Sequence, residues 1–311
     1  MSLQHMLTYN PNGELLIRLL NLTIRGKSIG GCCTCIVIDD LNIAFDMGYN
    51  PCKTEKLTDV FISHGLADHI GCLHFCHATK KLNHNFSPWR MTIPGCYIEP
   101  FKIMATAVSS LGRGGGPINM MTVKTDDGVV NTIKPYDKFI CDIIPSELCT
   151  HIDLIGNSTY CASAFHMNHK IKSYGYVIYE KRTKLKDQYR NMSGNELGRL
   201  RLSGTIIHDN INFPTIAFTG DTTFDAVLIC PDMLNSKILI MECTHFLDST
   251  IENAIENGHT HYRQILDNIK LFNNEYIILC HFSQKYRTFD DIVEYVEMLD
   301  DIDKKKIIFW I

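Results

Sequence analysis

The chain has 311 residues, of which 45% are hydrophobic, so it can bury a substantial core as one large domain or two small ones. Its formal net charge of −4 at pH 7 excludes binding of nucleic acid through overall basicity, and any contact with phosphates must come from a local patch. No apolar run approaches the roughly 18 to 20 residues that span a bilayer, and residues 1–14 lack a signal-peptide pattern, which predicts an intracellular, cytoplasmic protein that is not secreted.

Short apolar runs between polar turns predict a series of strands along the chain. They cover residues 15–24, 35–38, 42–45, 59–63, 138–144, 174–179, 215–219, 237–242, 276–281 and 306–310. Apolar residues three or four apart predict helices over residues 71–82, 261–272 and 289–299. This order predicts an α/β fold with two sheets, and no low-complexity linker divides the chain into independent parts.

The first cluster of polar residues follows the predicted strand at 59–63. It places His64, Asp68 and His69 within six residues, and imidazole and carboxylate groups are the ligands that suit zinc and related divalent metals. A tight loop after a strand lets side chains a few residues apart converge on one point. The same pattern also occurs in ordinary polar loops, so this stretch alone does not establish a metal site.

Three further polar residues stand at the ends of predicted strands. Asp221 follows a strand and a glycine that permits a turn, His281 ends another strand, and His169 comes shortly before a third. Each of them singly is more often structural, because a strand-end aspartate usually caps a turn and a lone histidine usually makes a hydrogen bond. Their order along the chain, after the first cluster, predicts a metal centre.

Residues 181–201 differ from the rest of the chain in being polar and basic. The positive charges are Lys181, Arg182, Lys184, Lys186, Arg190, Arg199 and Arg201. A segment with so few large apolar side chains predicts an arm that projects from the domain. The charge fits contacts with RNA phosphates rather than with bases. The alternative is a solvated surface hairpin without a ligand.

Several motifs in order resemble the tRNase Z family, in particular its short plant-type members. They are 61–71 with its His-Gly-Leu-Ala-Asp-His run, 173–179, 217–222, Met241-Glu242-Cys243-Thr244, Gly258-His259-Thr260-His261 and His281-Phe282-Ser283. The likeness extends from about Gly26 to Tyr286. It includes the stretches 41–48 and 185–204, to which no catalytic or metal-binding role is assigned.

The resemblance implies a metallo-β-lactamase fold, an αββα sandwich of four layers, as a single domain over residues 1–311 with a basic arm at about 181–207. It implies two zinc sites and a metal-dependent endoribonuclease that cleaves the 3′ trailer of precursor tRNA. By position in the family motifs, His64 and His169 would hold the first metal, and Asp68, His69 and His281 the second. Asp221 would bridge the two metals.

The same resemblance implies three catalytic residues. Asp68 stands where the family has the residue that steers the proton of the attacking water. Glu242 and His259 stand where it has a carboxylate and an imidazole that supply a proton to the leaving oxygen, and the carboxylate fixes and polarises the imidazole. A purely structural role for Glu242, as a buried salt-bridge partner, is the alternative.

Leu66 departs from the family pattern, which has a histidine there. An aliphatic side chain cannot bind a metal, so the first site keeps only His64, His169 and Asp221, and its affinity should fall. His166 is a poor substitute for the missing ligand. It lies three residues before His169 and on a strand would face the opposite side.

Two other functions stay open at this point. One is a phosphodiesterase that acts on another nucleotide, since the metal chemistry does not choose the substrate. The other is a catalytically degenerate homologue that binds RNA or protein, which the residue at 66 suggests. The expected partner is precursor tRNA or another RNA, with no membrane, and a homodimer is an open alternative. The 13 cysteines, including Cys32, Cys33 and Cys35, are expected to be mostly reduced and structural.

Overall fold

Most strands of this protein have two buried faces, as the apolar runs in the sequence require. The computed structural model describes residues 6–76, 89–111, 120–125, 128–133, 142–300 and 302–311, with only the backbone over 120–125 and 128–133. Along the strand that contains Tyr176 to Tyr179, alternate side chains enter different hydrophobic clusters. Such a strand needs a packed layer on each side. Each sheet should therefore lie between two other layers of secondary structure.

The first half of the chain supplies a mixed sheet. Its strands are β1 (Thr8–Tyr9), β2 (Leu15–Leu19), β3 (Leu22–Gly30), β4 (Cys33–Ile38), β5 (Ile43–Phe45), β6 (Asp59–Phe61) and β7 (Arg90–Ile93). They are adjacent in chain order, antiparallel up to β5 and parallel from β5 to β7. The hairpin of β8 (Met120–Thr125) and β9 (Gly128–Ile133) is separate, and β10 (Asp142–Pro145) joins the sheet beside β7.

The second half supplies the other sheet. Its strands are β11 (Ile152–Asp153), β12 (Tyr160–Met167), β13 (Ser173–Leu185), β14 (His208–Phe218), β15 (Ile238–Glu242), β16 (Tyr276–Cys280) and β18 (Ile307–Phe309). The order is β11-β12-β13-β14-β15-β16-β18, antiparallel up to β14 and parallel afterwards. The short strand β17 (Phe282–Ser283) crosses to the first sheet and pairs with β3.

The helices lie outside the two sheets. They are α1 (Ala67–Ile70), α2 (Ile98–Leu111), α3 (Gly194–Leu202), α4 (Phe224–Leu228), α5 (Pro231–Leu234), α6 (Ile251–Asn257), α7 (Tyr262–Asp267) and α8 (Val293–Glu297). One cluster joins the two sheets face to face, a second packs α4, α5, α7 and α8 on the second sheet, and a third packs α2 on the first. The layers are therefore αββα. None of the helices in the described ranges has the length and apolar content to cross a membrane.

The sequence predicted the two sheets correctly but merged two strands at its start. Residues 15–24 form a hairpin of β2 and β3 rather than one strand, because Leu20 and Asn21 both adopt positive φ and reverse the chain. The helix predicted over 71–82 is seen at 73–76, and its continuation lies outside the described residues, as do the predicted strand residues 138–141. The helices α2 and α3 and the strand β12 were not predicted.

The Tyr176 hydroxyl connects the two sheets at their buried interface. Tyr176 on β13 donates a hydrogen bond to the carbonyl oxygen of Ile62 at 2.6 Å, just beyond β6, and lies 2.7 Å from the hydroxyl oxygen of Ser146. Tyr176, Ile62 and Ser146 are all buried. The contact holds the end of β6, from which the loop with His64 starts, against the second sheet.

We expect Tyr176→Phe to lower the free energy of unfolding by about 1–3 kcal/mol, because it leaves the Ile62 carbonyl and the Ser146 hydroxyl buried with one partner fewer. Urea unfolding measures this change, and the dependence on denaturant should stay the same. Tyr160→Phe is the control, because Tyr160 is only half-buried and its hydroxyl has no such role between the sheets. Equal stability of Tyr176→Phe and the wild type would contradict the assignment.

Candidate active site

The six residues predicted as metal ligands meet at one edge of the sandwich. His64 follows β6, Asp68 and His69 lie on α1, His169 lies between β12 and β13, Asp221 follows β14, and His281 lies between β16 and β17. Since β5, β6, β14, β15 and β16 belong to the parallel parts of their sheets, their carboxyl ends bring these loops to the same side. Parallel strands commonly build sites in this way.

Asp221 lies at the centre of the cluster. Its carboxylate is 3.4 Å from the Nε2 atoms of His69 and His281 and 3.7 Å from Nε2 of His64. Burial alone would raise the pKa of this carboxyl, but the neighbouring imidazoles, His281 and His69 foremost, hold the pKa well below its ordinary value. The carboxylate is therefore ionised and available to two neighbouring cations.

A second group of donors lies beside the first. The Asp68 carboxylate is 3.4 Å from Nε2 of His281 and 3.5 Å from Nε2 of His69, and it accepts the backbone N–H of Gly31 at 2.8 Å. The ligand atoms of Asp68, His69 and His281 lie within 4.8 Å of one another, as do those of His64, His69 and Asp221. His169, Asp221 and His259 form a further group of this kind, as do Glu242, His259 and His281. Overlapping groups of nitrogen and oxygen donors suit a pair of metal ions.

The Nε2 atom of His64 is a buried nitrogen without a partner in the described part of the chain. The side chain is completely buried, its Nδ1 lies 2.9 Å from the Ser63 hydroxyl, and its Nε2 has no hydrogen-bond partner among the described residues. Burial and the charge of His69 lower the pKa of His64 well below its ordinary value, so the ring is neutral. A neutral, desolvated nitrogen without a partner costs free energy unless a cation binds it.

The other imidazoles are held by their second ring nitrogen, as metal-binding histidines usually are. Nδ1 of His69 lies 2.7 Å from the Asp46 carboxylate, Nδ1 of His169 lies 2.8 Å from the carbonyl oxygen of Gly258, and Nδ1 of His281 lies 3.0 Å from the Thr244 hydroxyl. Each contact leaves Nε2 directed towards the shared centre. The rings therefore cannot turn away without breaking a hydrogen bond.

Asp46 and Thr244 were not predicted from the sequence. Asp46 is completely buried, adopts a positive φ of 57° directly after β5, and also accepts the backbone N–H of Ser63 at 2.7 Å. Its position at the end of a predicted strand was a usable signal, the same one that pointed to Asp221. Thr244 belongs to the 241–244 motif, but nothing in the sequence indicated that its hydroxyl contacts His281, which lies in a loop distant along the chain.

Glu242 and His259 form a buried pair next to the metal ligands. The Glu242 carboxylate is 3.0 Å from Nδ1 of His259 and accepts backbone N–H groups from Thr222, Thr244 and Thr260 at 3.0–3.2 Å. Burial opposes a charge on His259, but the Glu242 carboxylate outweighs it and raises the pKa of His259 to about 9. The imidazole is thus protonated at neutral pH and can donate a proton.

Neither Leu66 nor His166 contributes to the centre. Leu66 lies at the start of α1, where its backbone carbonyl accepts the N–H of His69, and its side chain is 41% exposed. The His166 side chain is exposed on β12 and stacks edge-on against Tyr174. The prediction that His166 faces away from His169 agrees with this placement.

The basic arm forms a ribbon with a helical tip. The strands β13 and β14 pair from Tyr176–Phe218 out to Leu185–His208, and α3 with its Ser193–Glu196 capping box closes the tip. Ser173 at the other end of β13 donates its hydroxyl to the backbone carbonyl of Asp221 at 3.0 Å. At about 3.3 Å per residue, Leu185 is roughly 40 Å along the strand from Ser173.

Most of the arm's positive charges face carboxylates. The pairs are Lys181–Asp153, Arg182–Glu180, Lys184–Asp187, Lys186–Asp209 and Arg190–Asp187. Arg199 and Arg201 on α3 have no ion-pair partner in the part of the chain that the structure describes, and both are exposed. The tip helix therefore carries the least neutralised charge of the arm.

Sequence relatives of the chain carry the same name as one another. No protein-family model matches the chain. It is 37% identical to tRNase Z TRZ1 of Arabidopsis thaliana over 85% of this chain and 86% of that protein. It is also 32% identical to the chloroplastic tRNase Z TRZ2 of the same plant, over 94% of this chain and 76% of that one.

Solved structures agree on the fold. The metallo-β-lactamase fold protein YhfI of Bacillus subtilis has a TM-score of 0.58 at 13% identity, covering 91% of this chain and 93% of that one. The short form of human tRNase Z has a TM-score of 0.53 at 16% identity, with the same coverage of both chains. These likenesses confirm the predicted metallo-β-lactamase fold.

The pKa of His259 provides a test of the acid–base pair. We expect Glu242→Gln to bring this pKa down to or below its ordinary value of 6.5, because burial then acts without the carboxylate. A raised folded-state pKa means that the stabilising contribution of the pair is fully present below pH 6.5 and is lost as the pH rises through about 9. NMR titration of the metal-free protein measures both values. The same pKa in the two proteins would show that another group holds the charge.

Proposed function

The chain belongs to the tRNase Z family, and from this premise we propose that it is a metal-dependent endoribonuclease that removes the 3′ trailer of precursor tRNA. The observation that carries the proposal is the buried, unpartnered Nε2 of His64, which faces the Asp221 carboxylate inside a ring of further nitrogen and oxygen donors. An ordinary polar core would have satisfied this atom with a hydrogen bond.

We assign the donors to two zinc ions as the sequence predicted. His64 and His169 would hold the first, Asp68, His69 and His281 would hold the second, and Asp221 would contribute to both. Imidazole with carboxylate is a donor set that zinc favours. Bound metal ions would lower the pKa of a water molecule and offset charge on the phosphate. Because the pKa of His69 is raised well above its ordinary value in the metal-free cluster, where Asp221 and Asp46 outweigh burial, binding releases a proton.

The surrounding residues orient the reacting groups. Asp68, fixed by the Gly31 N–H, steers the proton of the attacking water. Its pKa lies far below the ordinary range because His281 and His69 outweigh burial, so the carboxylate stays ionised and accepts a hydrogen bond from that water without keeping its proton. Protonated His259 gives its proton to the 3′ oxygen that leaves, while Glu242 keeps the ring in place. Positioned proton transfer of this kind contributes about 10²- to 10⁴-fold to rate.

The proposal extends to the arm and the domain. The fold is one domain over residues 1–311, and the arm at about 181–207 grips the RNA away from the cut, principally through Arg199 and Arg201. Association as a homodimer and an intracellular location remain predictions.

The residue at position 66 is the basis for a test that separates an active enzyme from a catalytically degenerate homologue. With a complete second site and a first site that lacks one nitrogen donor, the purified protein should bind one zinc tightly and a second weakly. Leu66→His should raise the stoichiometry towards two and increase cleavage of a precursor tRNA with a defined trailer. Metal content per chain and mapping of the cleaved 3′ end measure both effects.

The control for this experiment is Leu271→His, which adds an imidazole at an exposed leucine outside the site. Two tightly bound zinc ions in the wild type would show that the first site needs no donor at 66. If neither the wild type nor Leu66→His cleaves precursor tRNA while both bind metal, the endonuclease proposal fails. Hydrolysis of another nucleotide diester would then favour the phosphodiesterase, and no hydrolysis at all would favour a binding protein.

We expect removal of positive charge from the tip of the arm to reduce RNA affinity selectively. Changing Arg199 and Arg201 together to Gln should weaken tRNA binding and lower the slope of log affinity against log salt by about one for each phosphate that the arm no longer neutralises. Fluorescence anisotropy at several salt concentrations measures both. Lys304→Gln with Lys305→Gln removes the same charge elsewhere and is the matched control. Equal reductions in the two double variants would mean that only net charge matters.

A further inference from the structure

A cavity lies next to the candidate active site and is not used by the proposed mechanism. Its volume is about 400 Å³, within the range of small-molecule sites, and its lining includes Tyr9, Lys27, Ile29, Cys32, Gln284 and Arg287. The floor is apolar, with Leu15, Phe282 and Trp310. It therefore combines an apolar base with polar and cationic side chains at its walls.

The cavity is separated from the metal ligands by one turn of backbone. Ile29 pairs with Phe282, the residue directly after His281, and Gly31 donates its N–H to the Asp68 carboxylate at 2.8 Å. A Cβ atom at Gly30 would lie 3.2 Å from the carbonyl oxygen of His281. The wall between cavity and metal centre is thus the turn at Gly30 and Gly31, in which Gly31 adopts a positive φ of 65°.

The walls offer charge for an anion. Neither Lys27 nor Arg287 forms a salt bridge with another described residue. Lys27 lies over the Tyr49 ring, with Nζ 5.7 Å from its centroid, and Arg287 donates its Nε to the carbonyl oxygen of Gln284 at 3.3 Å and its backbone N–H to the Asp291 carboxylate at 2.8 Å. Five basic residues of the arm are paired with carboxylates, in contrast. Two cations outside any described salt bridge, beside one cavity, favour a negatively charged ligand.

The cavity also offers an aromatic surface. The Tyr9 side chain is 68% exposed, and its hydroxyl donates a long hydrogen bond of 3.4 Å to the backbone carbonyl of Ile311. The other tyrosine, Tyr286, is buried, with its hydroxyl bonded to Asp248 and Lys285 over its ring. Tyr9 is therefore the ring on which a planar ligand can stack. A cationic wall with an exposed aromatic ring is the usual arrangement for single-stranded nucleic acid.

We propose that this cavity binds one nucleotide of the RNA strand beside the scissile phosphate, with its base on Tyr9 and its phosphate at Lys27 and Arg287. The inference rests on the proposed function, because it assigns the cavity to the same substrate. The nucleotide comes either from the trailer or from the mature 3′ end. Both sources share this chemistry, and the experiment separates them.

The test compares three small phosphodiesters on the zinc-loaded protein. Thymidine 5′-(4-nitrophenyl phosphate) imitates the trailer side, because hydrolysis releases 4-nitrophenol and leaves thymidine 5′-phosphate. Thymidine 3′-(4-nitrophenyl phosphate) imitates the mature side when the 3′ oxygen leaves, which gives thymidine and 4-nitrophenyl phosphate, so products are separated by chromatography. Bis(4-nitrophenyl) phosphate has no nucleoside. We expect one thymidine ester to have a higher kcat/KM than the bis ester. Tyr9→Ala and Lys27→Ala should each reduce that advantage about tenfold, while Tyr9→Phe retains it, since stacking needs the ring and not the hydroxyl.

Arg18→Ala is the matched control, because Arg18 is an exposed cation on the neighbouring strand β2 outside the cavity. The ester that responds to Tyr9→Ala identifies the side of the cut that the cavity binds. Equal losses on all three esters, or no advantage of either thymidine ester in the wild type, would overturn the proposal. Should turnover be too slow, thymidine 5′-monophosphate binding by calorimetry replaces it, and equal affinity of wild type and Tyr9→Ala likewise overturns the proposal.

Cleavage of precursor tRNA by the same preparations keeps the two proposals apart. If the thymidine effect is present but precursor tRNA is not cleaved, the cavity assignment stands and the proposed function fails. If precursor tRNA is cleaved and Tyr9→Ala behaves as Arg18→Ala does, the function stands and the cavity assignment fails.

Discussion

The Asp221 carboxylate is the group on which the rest of the site depends. It is fully buried, faces three imidazoles from both sheets at 3.4–3.7 Å, and keeps its charge only because those imidazoles offset the loss of water. Neither sheet alone could hold this arrangement. The apolar interface between the sheets and the Tyr176 hydrogen bonds across it therefore determine whether the chemistry can be assembled.

Two positions of strained backbone lie within the site. Asp46 and His281 are non-glycine residues with φ of 57° and 60°, and each directly follows a buried strand. Such conformations persist when the surrounding contacts fix them, here the hydrogen bonds to His69 and Thr244. A similar constraint applies at Gly48, where a Cβ would overlap the carbonyl oxygen of Asp68 and displace the loop that carries two ligands.

Sequence reasoning located the groups that the fold brings together but not the contacts that orient them. Strand-end positions were sufficient to select His64, Asp221 and His281, because parallel strands deliver their ends to one edge. The long helix α2 was not predicted although Phe101, Met104, Ala105 and Val108 have helical spacing, and Pro100 is tolerated because it lies in the first turn. The roles of Thr244 and of the Gly258 carbonyl depend on loops distant in sequence, so no local pattern could reveal them.

The strands β13 and β14 serve the arm and the metal centre at once. One end of this ribbon contacts Asp221 through Ser173, and the other carries α3. A β-ribbon is stiff along its length, so the number of residues in its strands sets the distance between its two ends. Adding two residues to each strand would lengthen it by about 7 Å and keep every side chain on its original face. In the proposed function, the distance from the RNA contact on α3 to the metal centre is therefore set by strand length. The register shift between Ile178 and Tyr179 shows that the ribbon also accommodates a single extra residue as a bulge.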